Sequence, residues 1–197
     1  MKIDDIKKNY RKYRWFFTSS GKLVIGGKSA EQNDFLLSLL KETEKDFVVM
    51  HTTEPGSPFS ILPEEISKLS NSDIEECAIF TGCFSRAWKA GKSKASVDVF
   101  RLSQLHKNRN MKQGTWGVFG GVKTLSVPLQ LVLTTQKEVL RAVPEKTSKS
   151  KFIVKLRPGN INKDNVQAKL ELELNKVFSH EELLSALPAG GFKIIKK

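Results

Sequence analysis

Apolar positions recur along this chain with two periods, about two in some stretches and about three and a half in others. Ile3 and Ile6 give a weak stripe to the basic segment Met1 to Tyr10, which predicts a short amphipathic helix. Arg14-Trp15-Phe16-Phe17-Thr18 and Leu23-Val24-Ile25 flank the turn-forming Ser19-Ser20-Gly21-Lys22, so the pair reads as a hairpin. Alternation would send Trp15 and Phe17 to one face and Arg14 and Phe16 to the other, so at least one aromatic set belongs to a core. Gly26-Gly27 ends the second strand. Ser29 opens a helix through about Leu40, and Gln32, three residues on, completes a capping box. Phe47 to Met50 is a short buried strand ending at His51, Glu54-Pro55-Gly56-Ser57-Pro58 is a loop, and Phe59 to Leu62 is extended.

Ser72 with Glu75 predicts a second capping box and the longest helix, about Asp73 to Ala90, with the stripe Ile74, Cys77, Ala78, Thr81, Phe84 and Trp88. Val97 to Leu102 reads as a strand, Lys107 to Gln113 as a polar basic loop, and Thr115–Phe119 and Leu129–Leu133 as strands. Glu145 to Lys151 lacks apolar residues and is the most linker-like stretch. A β-α-α-β pattern follows: Phe152 to Leu156, Asp164 to Lys176, Ser179 to Leu187 with a third capping box (Ser179, Glu182), and Phe192 to Ile195. Strands and helices are interspersed without regular βα alternation. The fold class is therefore α+β, a mixed, mostly antiparallel sheet with packed helices plus a small C-terminal β-α-α-β unit. The boundary falls between 1–145 and 146–197.

Charge sharpens the picture. The 197 residues carry a net charge of +12, unevenly spread. Residues 1–30 hold a net +6, residues 31–80 a net −8, residues 81–163 a net +14, and residues 164–197 none. Such segregation can build a one-signed field that attracts polyphosphate partners by counterion release. No apolar run approaches the ~18 residues of a membrane span, and the polar, acid-containing N-terminus argues against a leader peptide. Cys77 and Cys83 match no zinc spacing and read as buried thiols in a reducing, cytoplasmic setting. No cofactor or metal motif is present.

Four constellations could carry chemistry. Tyr10 to Phe17 interleaves cations with aromatic rings, which places Arg11 and Arg14 among candidate phosphate contacts. Gly26-Gly27-Lys28-Ser29 lies at a strand-to-helix turn, where amides at a helix N-terminus can hold a phosphate; a plain tight turn is the other reading. It lacks the first glycine of a P-loop, since Lys22 stands five positions before Gly27, so nucleotide hydrolysis is disfavoured. His51 sits at a strand end beside the Gly56-Ser57 loop, where it could contact RNA, be structural, or act as a catalyst with Glu54, Ser57 or Ser85 as partner. Arg101 to Lys112 brings four cations together, and with Arg86, Lys89, Lys92 and Lys94 makes the densest basic region.

The run RWFFTSSGKLVIGGKSAEQND resembles the opening of the NFACT-R domain family, the RNA-binding domain of the NEMF/Caliban group of ribosome quality-control proteins. The matching positions are Arg14-Trp15-Phe16, Ser20-Gly21, Gly26-Gly27-Lys28 and Gln32-Asn33, then Asp46 through His51, Gly56-Ser57, and Ala78 through Ser85-Arg86-Ala87-Trp88. Gln104, Lys107 and Gly114-Thr115-Trp116 continue the order to about residue 125. The resemblance implies RNA binding with tRNA or ribosome association and no established catalysis. The N-terminal domain, helix-hairpin-helix unit and coiled coil of full-length members find no counterpart in these residues, and 151–197 match no part of the family pattern.

The expected activity is therefore non-catalytic recognition of tRNA or ribosomal RNA by shape and charge, linked to ribosome quality control or RNA processing. Arg11, Arg14, Lys28, Arg86, Lys92, Lys94, Lys107, Arg109 and Lys112 would meet phosphates. His51, Gly56, Ser57 and Gln104 would complete the interface. Expected partners are RNA, the large ribosomal subunit, and a protein docking on 151–197, with no membrane. An RNA-modifying or RNA-cleaving enzyme using His51, a protein-interaction adaptor and a DNA binder remain alternatives.

Overall fold

The computed structural model describes residues 3–148, 154–174, 177 and 179–195. The chain opens with α1 (Ile3–Lys8) and a 3-10 turn at Tyr10–Lys12, then forms β1 (Arg14–Phe17) and β2 (Leu23–Gly26) as the expected hairpin. Helix α2 (Ala30–Lys41) precedes β3 (Val48–Thr52) and β4 (Ser60–Leu62). Next come α3 (Asn71–Cys83), the short α4 (Arg86–Lys89), β5 (Lys94–Arg101), a small pair β6 (Leu105–His106) and β7 (Gly117–Val118), and β8 (Lys123–Pro128). The last part is β9 (Leu131–Gln136), β10 (Val139–Val143), β11 (Val154–Ile161), α5 (Lys163–Leu174), α6 (His180–Ala186) and β12 (Phe192–Ile195).

The larger sheet is six-stranded in the order β1-β2-β4-β3-β5-β8, and each of its pairings is antiparallel. Its register explains both cores. Trp15 stands beside Ile25, Ile25 beside Ile61, Ile61 beside Val49 and Val49 beside Phe100, a row of apolar side chains on one face. That row packs against Leu36, Leu37 and Leu40 of α2. The other face presents Phe16, Val24, Val48, Met50 and Val97 to α3. Trp15 and Phe16, adjacent in sequence, are thus both fully buried because helices cover both faces. Each such side chain contributes about 1.5–3 kcal/mol of transfer free energy.

A four-stranded antiparallel sheet, β10-β9-β11-β12, closes the far side of the α3 core. From Glu76 through Cys83 every residue of α3 is buried, which explains a helix apolar nearly all round. The expected β-α-α-β order is present in β11, α5, α6 and β12, with the Ser179–Glu182 capping box. Its strands share their sheet with β9 and β10, which precede residue 145. Glu145–Ser148, within the linker-like stretch, forms a 3-10 turn pinned by Glu145 to Gln130 (2.9 Å) and to Lys155 (2.6 Å). The rest of that stretch, Phe152 of the expected strand and Lys176 at the expected helix end lie outside the described residues.

Three element expectations are corrected. The cap of α3 is Ser70, not Ser72; Asp73 closes the box by accepting from the Ser70 amide (2.8 Å). The helix stops at Cys83, and Ser85 caps α4 by accepting from the Ala87 amide at 3.1 Å. Strands β8 and β10 were absent from the sequence pattern, the first because it is a polar outer strand ending at Pro128, the second because Arg141 interrupts its apolar run.

Candidate nucleic-acid interface

A groove of about 670 Å³ runs between the N-terminus of α2, the loop from β3 to β4 and the start of α4. Arg14, Lys28, His51, Gly56, Ser57 and Arg86 all line it. Six candidate residues from four separate stretches meet there.

Each is placed by local chemistry. The Arg14 guanidinium lies 5.0 Å over the Phe84 ring, and burial lowers its pKa. Lys28 is fixed through its amide, which donates to Gln32 Oε1 (2.9 Å), while Ser29 caps α2 by accepting from the Gln32 amide (3.2 Å). A side chain at Gly27 would collide with Asn33, whose Oδ1 accepts from the Phe59 amide (3.3 Å) and so ties α2 to the opposite wall. That wall is the Pro55–Ser57 loop. Ser57 Oγ accepts from the Thr52 amide at 2.9 Å, and the Gly56 carbonyl accepts from the Arg86 amide at 3.0 Å.

His51 Nδ1 lies 2.7 Å from the Thr52 carbonyl, which can only accept, so Nδ1 carries the proton and Nε2 is left as the ring's acceptor. Its ring packs 4.6 Å from Phe59. Burial lowers its pKa and so favours the neutral ring, opposed by the main-chain bonds to Thr52 and Ser57 and by the charge of Asp98.

A second cavity of about 250 Å³ adjoins the groove through Thr52, Thr53, Pro55 and Arg86, and is lined by Lys92 and Lys94. Lys92 pairs there with Glu54 at 3.0 Å, an exposed contact that a phosphate can displace at little cost.

The other candidates stand apart from the groove lining. Lys107 is held by Asp34 (2.9 and 3.0 Å) and donates to the Lys112 carbonyl (3.0 Å). Asp34 also accepts from Trp116 Nε1 (2.7 Å) and from the Gly114 amide (3.0 Å). Burial alone would raise the Asp34 pKa, but these bonds outweigh it and hold the carboxyl below its ordinary value. Lys107 thereby braces Gln113, Gly114, Thr115 and Trp116, which do line the groove. Arg109 and Lys112 are exposed in the same loop but do not line it. Gln104 secures the segment after β7, its Nε2 donating to the Phe119 (3.0 Å) and Gly121 (2.9 Å) carbonyls. Arg11 donates to the Lys137 carbonyl (3.1 Å) beside the β9–β10 turn.

The acidic middle segment does not neutralise the groove. Asp73 and Glu76 are buried on α3, bonded to Thr18, Ser19 and Ser20, and Asp46 accepts from Ser103. Among the described residues Asp98 is the one acid in the groove lining, and it accepts from Thr53 (2.9 Å) and Thr124 (2.6 Å). Sequence reasoning singled out Trp116 only as a position of the family resemblance, and missed Asp98 and the buried Arg141. A lone arginine inside the apolar run Val139 to Val143 was the available signal for the last. Among the described residues no group of three or more His, Cys, Asp or Glu could hold a metal ion, and no helix is long and apolar enough to cross a membrane.

A family model described as the NFACT protein RNA binding domain matches residues 12–120, a span that holds every residue lining the groove. The chain belongs to the NFACT RNA-binding domain family. A curated relative, the archaeal Rqc2 homolog aRqcH of Methanocaldococcus jannaschii, is 31% identical over 208 residues. That match covers 100% of this chain and 31% of the relative, so this NFACT chain spans about a third of the relative's length. The match also takes in 151–197, which the sequence resemblance left without a counterpart. A solved structure, the C-terminal part of the fibronectin/fibrinogen-binding protein from Streptococcus suis, shares the fold. Its TM-score is 0.52 at 23% identity, covering 64% of this chain and 47% of that one.

Proposed function

We propose that this NFACT domain binds structured RNA, tRNA or ribosomal RNA, along the groove, and that it serves ribosome quality control. The observation that carries the reading is the convergence of Arg14, Lys28, His51, Gly56, Ser57 and Arg86 on one surface. Cations supply sequence-independent phosphate contacts. The neutral His51 offers Nε2 as an acceptor, which suits a ribose hydroxyl or a base amino group. Lys92 and Lys94 extend the phosphate track into the adjoining cavity, and Lys107 and Gln104 act as braces for the walls.

The reading is non-catalytic. His51 hydrogen-bonds to main chain and not to a carboxylate, and Ser57 Oγ is engaged in holding the loop. Similarity to an Rqc2 homolog supports ribosome association, with the large subunit as partner and the cytoplasm as the place of work. Exposed Leu172, Val177 and Leu184 support a protein contact through the C-terminal unit.

Fluorescence anisotropy with labelled bulk tRNA across a salt series tests this. We expect saturable binding whose affinity falls steeply with salt, and weaker binding to a DNA of matched structure. Salt-independent or absent tRNA binding would overturn the reading.

A further inference from the structure

Four cations gather where the two sheets meet, and their company differs from that of Lys92 or Lys107. The β9–β10 hairpin docks on the open edge of β1, where Gln136 exchanges two 2.8 Å hydrogen bonds with the Phe17 main chain. This brings Arg141 of β10 over Trp15, guanidinium to ring centroid 4.4 Å. Arg141 and Arg14 line the same narrow cleft between the sheets, and Arg14 with Lys28 lines the groove. Among the described residues none of Arg11, Arg14, Lys28 and Arg141 makes an ion pair.

The donors are in excess. Arg141 is 9% exposed, and one of its nitrogens, Nη1, donates to the Ser185 carbonyl (3.1 Å). Its Nε is buried without an acceptor, as is Nε1 of the Trp15 beneath it. Buried polar atoms left in this way are rare and call for a partner. The charge is also uncompensated: burial and the neighbouring Arg11 and Arg14 push the Arg141 pKa down to about 10. Aromatic rings lie under both guanidinium groups, Phe84 for Arg14 (5.0 Å) and Trp15 for Arg141 (4.4 Å), and restrict their movement.

We propose that Arg14, Lys28 and Arg141 form one anion subsite at the seam between the sheets, which takes a backbone phosphate of the bound RNA. The inference rests on the RNA-binding reading and deepens it. It adds a residue outside the span of the family model and makes the second sheet part of the interface. The phosphate sits at the mouth of the cleft, on Arg14 and Lys28, with the Arg141 charge behind it.

The test uses the full chain and labelled bulk tRNA. Arg141→Met keeps the stem on Trp15 and removes the charge; Arg141→Lys keeps the charge. Arg141→Met should bind about tenfold more weakly at low salt, with the salt slope reduced by about one, while Arg141→Lys keeps the slope. Unchanged affinity and slope in a folded Arg141→Met would overturn the subsite and leave the groove reading standing; loss of tRNA binding by the unmodified chain would overturn both. Should Arg141→Met fail to fold, NMR of the arginine Nε–H groups in the unmodified chain decides. Addition of tRNA should shift the Arg14 and Arg141 signals, and their constancy under saturating tRNA would overturn the proposal.

Discussion

Arg86 lies across Gly56, its amide bonded to the Gly56 carbonyl at 3.0 Å and its aliphatic stem occupying the space that a Cβ at residue 56 would need. Gly56 also has φ +114°, in the region that only glycine enters without strain. Loop and cation are therefore one unit: the loop's shape decides where the guanidinium stands. Gly56→Ala should cost about 1–3 kcal/mol of stability and weaken tRNA binding by displacing Arg86. Thermal melts with parallel binding curves check this, and unaltered values for both would show that the contact is incidental.

Lys107 should behave as a brace. Lys107→Ala leaves Asp34 with only Trp116 and Gly114, in a site about a quarter exposed, and should destabilise the fold by about 1 kcal/mol. The salt slope of tRNA binding should stay near that of the parent chain, in contrast to Lys28→Ala, where it should fall by about one. A slope change for Lys107→Ala equal to that of Lys28→Ala would place the ammonium on RNA.

Acid should act through the same node. The folded-state pKa of Asp34 lies below its unfolded value of 3.8, so its contribution is present above that pH. The stability is lost as pH falls from there through the folded-state pKa. In Asp34→Asn the acid limb of the stability curve should flatten in that window. Urea denaturation at a series of pH values, parent against variant, measures it.

His51 works in the opposite charge sense. Burial depresses its folded pKa below the unfolded 6.5, so the unfolded chain binds the proton first. Stability from this group is full above 6.5 and declines as pH drops below it. Replacing His51 by Gln should remove that decline without abolishing folding, and the same denaturation series reads it. Superimposable curves for parent and variant would mean that the ring titrates normally.

Local chemistry was legible where a signal had a single solution. The β1–β2 hairpin and the Ser29 cap follow from neighbouring residues alone. The sequence pointed to Ser72 as the cap of α3, whereas Ser70 holds that place, in a box whose Asp73 is also bonded by Thr18 and Ser20 from more than fifty residues away (2.5 and 2.6 Å). The site shows the same division. Arg14, Lys28, His51, Gly56 and Ser57 could be singled out because glycines and cations mark turns beside strands and helices. Asp34 reaches Lys107 across 73 positions, and Arg141 reaches Trp15 only once the second sheet docks. Those partners are set by tertiary packing, which no local pattern encodes.

Where RNA lies on this surface decides between the groove and the C-terminal unit. Ultraviolet crosslinking of the chain to tRNA, with the attached peptides identified by mass spectrometry, reports it directly. Crosslinked peptides should come from residues 14–33, 51–59 and 84–98, around the groove and the cavity beside it. Crosslinks confined to α5, α6 and β12, with the groove peptides unmodified, would contradict the groove reading.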